Sequence, residues 1–218
     1  MDFVDYDSER DRLVSYLVHA GFLKTESIIA AFQRVHRHLF VMPSYKRFAY
    51  DDSALPVWHG STISQPSTAA TMLELLQPGP GERVLEIGTG SGWQACLLAS
   101  CVGPSGSVVS MEIDPDLVSI ARENVAKIGP KNLRLVLGDG SVGCPDAAPY
   151  DKIIYAAATR EIPRQVLVQL NVHGWVVAPV GSMEMQTLTV VEKAAVNKLE
   201  ERRYGLYNFA PLRGQLGF

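Results

Sequence analysis

Three acids and a run of glycines carry the first chemistry visible in this sequence. Val84–Trp93 reads VLEIGTGSGW, with Glu86 two residues before Gly88, and Gly90 and Gly92 following at alternate positions. Glycines let a backbone take positive φ and approach a ligand closely. The dinucleotide fingerprint is GxGxxG/A, whose last small residue permits close packing of helix on strand. Here the spacing is GxGxG, and Trp93 occupies the position that should be small. A carboxylate at Glu86 also suits a pyrophosphate poorly. It suits a ligand that has a cationic amino acid end and no phosphate. Glu112 stands twenty residues after Gly92, where an acid can accept both ribose hydroxyls. In Gly138-Asp139-Gly140, Asp139 can accept from an adenine amine, while Gly140 leaves room beside the ring. Each acid alone reads equally as a solvated loop carboxylate. Their succession at three strand ends points to S-adenosyl-L-methionine (AdoMet), with S-adenosyl-L-homocysteine as its product.

Those strand ends imply the elements that hold them. Apolar runs predict strands near Arg83–Ile87, Ser107–Glu112, Leu133–Leu137, Lys152–Ala156 and Trp175–Pro179. Helices fit between them near Gly92–Cys101, Pro115–Ile128 and Pro163–Leu170. This alternation predicts a parallel sheet covered on both faces. Gln186–Glu192 and Glu200–Leu206 then follow without a helix between them, as a terminal antiparallel pair. The fold class is α/β, a doubly wound, Rossmann-like, mostly parallel seven-stranded sheet.

The first 60 residues have a different rhythm. Val14, Leu17, Val18 and Gly21 recur at helical spacing, as do Ile28, Phe32, Val35 and Leu39. Two amphipathic helices are expected, ended by Gly21 and by Pro43. An irregular segment with Trp58 and Ile63 leads to Pro66, which suits the start of a further helix carrying Met72, Leu73 and Leu76. One domain over residues 1–218 is expected, with a helical extension at 1–60 and the cofactor-binding core at 61–218.

Composition excludes several classes. The net charge of −3 offers no field to recruit nucleic acid or an acidic membrane. No apolar run approaches the roughly 20 residues that span a bilayer, and MDFVDYDSERDR lacks a signal-peptide pattern. Cys96, Cys101 and Cys144 form no CxxC pair and read as reduced thiols. The five histidines show no metal-ligand spacing, so no metal is expected; His59, directly before GSTIS, is the one to test. A cytoplasmic monomer without nucleic-acid or membrane partners is the expectation.

VLEIGTGSGW, SMEID, GDG and PYDKIIYAAA resemble the successive motifs of class I AdoMet-dependent methyltransferases. More narrowly, YDDSALP, GSTISQP, the EIP at Glu161–Pro163, LVQLNVHGWVVAPVG and FAPLRG resemble the protein-L-isoaspartate O-methyltransferase family. The likeness runs from about Arg10 to Gly214, and the TIS-x-P block is more specific to that family than the glycine loop. It implies methyl transfer from AdoMet to the free carboxylate of L-isoaspartyl residues in damaged proteins, initiating repair through a succinimide. Such a carboxylate is already ionised at neutral pH, its ordinary pKa being about 3.3–3.7, and needs no general base. It needs donors that hold it in line with the methyl group. Ser64 is assigned that role by its chemistry and by the resemblance; capping the helix near Pro66 is a second, compatible role. Thr62 and Ile63 are expected to line the same cavity against the cofactor. The resemblance also implies that backbone groups near Phe209–Leu212 grip the peptide. Three positions depart from the family pattern. Trp93 and Tyr155 suggest a repacked cofactor pocket, and Ser67 bears on substrate recognition. Two rival readings are a carboxyl methyltransferase for one dedicated peptide or small acid, and a module that binds AdoMet without turnover.

Overall fold

The structure, a computed structural model, describes residues 4–218. Two helices open the chain, α1 (Tyr6–His19) and α2 (Glu26–Arg34). Asp5 caps α1 by accepting from the amides of Asp7 and Ser8. Leu13, Val14 and Leu17 form the buried side of α1, whereas Val18 is exposed, so the apolar face is narrower than its spacing predicts. The second helix stops at Arg34, short of Pro43, and the chain continues through 3-10 turns at Arg37–Leu39 and Pro43–Phe48. A small antiparallel hairpin, β1 (Leu55–Pro56) and β2 (Thr62–Ile63), precedes α3 (Pro66–Leu76).

The main sheet then alternates with helices: β3 (Arg83–Ile87), α4 (Trp93–Val102), β4 (Ser107–Glu112), α5 (Pro115–Ile128), β5 (Leu133–Leu137) and β6 (Tyr150–Tyr155). It finishes with α6 (Arg164–Leu167), β7 (Leu170–Gly181), β8 (Gln186–Ala195) and β9 (Lys198–Tyr207). The strand order is β5-β4-β3-β6-β7-β8-β9. Strands β3 to β7 pair in parallel, and β8 runs antiparallel to both neighbours. Strand order reverses beside β3, where chain direction brings the loops after β3 and β6 together. Ligands of open α/β sheets sit at such a point.

The predicted helix Pro163–Leu170 shrinks to one turn. Leu170 is drawn into the sheet opposite Tyr150, and the Tyr150 amide donates to the Gln169 carbonyl at 2.8 Å. The Gln169 side chain meanwhile donates to the Val142 carbonyl and accepts from the Cys144 amide, both at 2.8 Å. Tertiary hydrogen bonds therefore overrule a local helical pattern.

Alternation along the strands divides the core into two layers. Val84, Val108, Ile154 and Val177 face α3, α4 and the N-terminal helices; Leu85, Ile87, Ile153 and Val176 face the opposite layer around Val166 and Leu170. The N-terminal helices share the first layer with α4, packing Phe32 edge-on to Trp93 at 5.5 Å between ring centroids. Both faces of β3, β4 and β6 are thus largely removed from water, the main source of their stability, while β5 at the edge is only partly buried. Among the described residues no helix is long and apolar enough to cross a membrane.

Candidate active site at the carboxyl ends of the strands

A cavity of about 570 Å³ opens at the carboxyl ends of β3, β4 and β6. That volume is in the range of small-molecule sites. Its walls include Thr62, Ile63 and Ser64 at the hairpin; Gly88, Gly90, Trp93 and Gln94 of the glycine loop and α4; Glu112 of β4; Ala156 and Ala157 after β6; and Phe209–Arg213 of the C-terminal segment.

Gly88, Gly90 and Gly92 have φ values of 96°, 53° and 87°, so the loop uses the freedom its sequence advertises. Their tasks differ. Gly88 and Gly90 line the cavity. Gly92 instead lies against α5, where a Cβ would come within 2.9 Å of Val125 Cγ2. Gly140 lines the cavity too, and a Cβ there would strike Ile87 Cγ2 at 2.9 Å. The room it leaves accommodates the end of β3.

Glu86 is completely buried and does not reach the cavity wall. Ser110 donates its hydroxyl proton to Glu86 Oε2, which leaves the Thr89 hydroxyl as donor to Ser110 Oγ at 2.6 Å. Glu86 Oε1 has no partner among the described residues. Burial pushes this carboxyl up to about 8, the Ser110 bond opposing and the neighbouring Glu112 reinforcing the rise. Glu112 is a joint between segments. Its Oε2 accepts from the Gly90 amide at 3.0 Å, and its Oε1 from the amides of Ile113 and Asp114 at 3.0 and 3.1 Å.

Asp139 lies outside the cavity wall. Its Oδ1 accepts from the Ser141 amide at 2.9 Å and its Oδ2 from the Gln215 amide at 2.7 Å. Burial alone would raise this carboxyl; the bonds from Gln215 and Ser141 outweigh it and hold the group below its usual range. The C-terminal segment thus meets the acid expected to read an adenine amine.

Ser64 settles one ambiguity of the sequence. The N-cap position of α3 is Gln65, without a side-chain cap, and Pro66 begins the helix. Asp52 does the satisfying instead, its Oδ1 accepting from the Ser67 amide at 2.8 Å. Ser64 lines the cavity and its hydroxyl has no partner among the described residues, while its carbonyl accepts from Arg37 Nη2 at 3.0 Å. Capping is therefore not its task.

Several site residues escaped the sequence reading. Gln94 is 6% exposed, lines the cavity, and leaves both amide atoms without partners. Its position in the first turn after the glycine loop was the available signal. His59 stands out for its place before GSTIS, and Arg213 lies in FAPLRG, but their common partner Asp114 is remote from both in sequence and could not be read there. His59 Nδ1 donates to Asp114 Oδ2 at 3.1 Å, and Arg213 Nη2 donates to the same oxygen at 3.3 Å. The hydrogen bond from His59, ahead of those from Leu117, Arg213 and Asp116, holds the Asp114 carboxyl down to about 2. His59, Asp114 and Asp116 also converge within metal-binding reach, but Arg213 already supplies positive charge there.

The donor set fits AdoMet. Among the described residues Arg213 is the one cationic residue in the wall, a poor provision for a pyrophosphate. The unpartnered side-chain oxygen of Gln94, in the wall itself, suits a cationic amino acid end. The sequence profile of the protein-L-isoaspartate(D-aspartate) O-methyltransferases matches residues 8–217. The chain belongs to this family. It is an AdoMet-dependent protein carboxyl O-methyltransferase of the isoaspartyl class. The protein-L-isoaspartate O-methyltransferase of Aeropyrum pernix is 43% identical over 98% of this chain and 82% of its own length. That of Pyrococcus horikoshii is 41% identical over 100% and 99%. A solved protein-L-isoaspartate O-methyltransferase superposes with a TM-score of 0.87 at 32% identity, covering 95% of this methyltransferase and 67% of the solved chain. A Plasmodium falciparum protein in complex with S-adenosyl-L-homocysteine shares the fold at a TM-score of 0.83 and 21% identity, covering 97% and 99%.

Proposed function

We propose that Ser64 orients the acceptor carboxylate in this isoaspartyl methyltransferase, and that the enzyme serves general repair of isoaspartyl proteins. The observation that carries the assignment is a cavity-lining serine whose hydroxyl has no partner among the described residues, on a backbone held by Arg37. AdoMet supplies the methyl group as a sulfonium substituent and leaves as S-adenosyl-L-homocysteine. The protein's part is positional. Ser64 donates to one carboxylate oxygen and leaves the other free to attack in line, an orienting effect that lowers the barrier through entropy. No base is required, since the acceptor is already ionised at neutral pH. Backbone groups of Phe209–Leu212 grip the peptide; Ala158 supports them, its amide donating to Ala210 and its carbonyl accepting from Leu212, both at 2.8 Å. The methyl ester then closes spontaneously to a succinimide, which reopens partly to aspartate.

For the cofactor we assign Thr62, Ile63, Gly88, Gly90, Glu112 and Gly140 to direct contact, joined by Gln94. Glu86 and Gly92 support the loop from beneath, and Asp139 contributes through the segment around Gln215. The chain works as one domain over residues 1–218, monomeric and cytoplasmic, with no nucleic-acid or membrane partner.

Replacing Ser64 by alanine tests the assignment. A hydrogen bond to a charged group is worth about 1.5–3 kcal/mol, so kcat should fall roughly 10- to 150-fold at 1.36 kcal/mol per decade. The AdoMet dissociation constant, read by calorimetry, should stay within about threefold. Unchanged kcat, or lost AdoMet binding with kcat intact, would remove Ser64 from the role.

A further inference from the structure

Arg37 is 1% exposed, and among the described residues its guanidinium meets backbone carbonyls rather than a carboxylate. Burying a charge without an opposite partner is costly, so its hydrogen bonds must matter. Nη1 donates to the Ala49 carbonyl at 2.6 Å. Nη2 donates to the carbonyls of Ser53 and Ser64, both at 3.0 Å. The guanidinium carbon lies 5.1 Å from the centroid of the Trp93 ring, a cation–π distance. One side chain from the N-terminal extension thus touches both walls of the cavity: the serine segment through its carbonyl, and the first residue of α4 through its ring. This also gives Trp93 a task, since a smaller residue there would offer the cation no aromatic face.

We infer that Arg37 is a positioning residue for methyl transfer, fixing Ser64 at its working distance from the glycine-loop wall. The inference rests on the reading of Ser64 above. Burial pushes the guanidinium down to about 10, with Asp52 opposing, so the group stays charged at neutral pH. Lysine keeps the charge but lacks the planar fork that spans three carbonyls.

The test is a double-mutant cycle on the full-length enzyme with Arg37→Lys and Ser64→Ala. Arg37→Lys should lower kcat at least 10-fold, leave the AdoMet dissociation constant within threefold, and add less than threefold to the loss already caused by Ser64→Ala. Independent, multiplying losses would overturn the inference, as would a lowered Tm with kcat unchanged. Ser64→Ala alone reports on the serine, so failure of that role is distinguished from failure of Arg37 to act through it. If Arg37→Lys does not fold, hydrogen exchange of the wild-type enzyme decides. Peptides spanning residues 62–67 should exchange as slowly as α4; exchange as fast as residues 57–61 would refute the clamp.

Discussion

Glu86 couples the cofactor loop to pH. Its carboxyl is raised to about 8 in the folded protein, against about 4.3 for an exposed glutamate. Between those values the folded state binds more protons than the unfolded chain, so stability falls as pH rises from about 5 to about 8. Above about 8 the cost is fully present. Glu86→Gln keeps the shape and removes the titration. Thermal unfolding should show the wild-type Tm dropping from pH 5.5 to 8.5 while the variant's stays nearly level. A parallel drop in both proteins would mean that Glu86 is not the group responsible. Ser64 illustrates a different limit of residue-level reading. A serine two residues before a helical proline looks like a cap, and only the placement of Asp52 against the Ser67 amide shows that the hydroxyl is free.

At the scale of elements, Asp114 ties the hairpin and the C-terminal segment to the start of α5. It caps α5 by accepting from the amides of Asp116 and Leu117, and with its other oxygen it holds His59 of the hairpin and Arg213 of the C-terminal segment. Asparagine caps a helix as well as aspartate does but carries no charge. Asp114→Asn should therefore keep the cap, lower the Tm only modestly at neutral pH, and speed proteolysis near residues 57–61 and 209–213. Equal cleavage rates in both proteins would show that the charge does not hold these segments. The carboxyl sits at about 2, well below the ordinary value, so its contribution is present above about pH 4 and is lost as pH falls towards 2.

The elements differ in how far their sequence announces them. β3, β4, β5 and α5 have the predicted bounds because apolar runs or a 3.6-residue rhythm are bracketed by Gly, Pro or Asp caps. α6 and the end of α2 do not, since Gln169 and Arg37 are committed to partners far along the chain. For the same reason the cofactor loop was legible and its supports were not. Glycines and strand-end acids act locally, whereas Arg37, Asp52 and Asp114 act on backbone that only folding brings near.

Across the whole molecule, strand order places one cavity between the loops of β3, β4 and β6, and the flanking additions complete it. The N-terminal extension delivers Arg37, the hairpin delivers Ser64, and the segment after β9 supplies Phe209–Arg213. In the proposed division of labour, the glycine loop and strand ends hold AdoMet and the additions hold the acceptor. Substrate choice is therefore where the architecture is most exposed to contradiction. The decisive measurement is transfer of labelled methyl from AdoMet to an isoaspartyl peptide, with its aspartyl twin as control. Label should enter the isoaspartyl peptide and essentially spare the twin. Equal labelling of the two peptides, or labelling of neither, would contradict isoaspartyl repair.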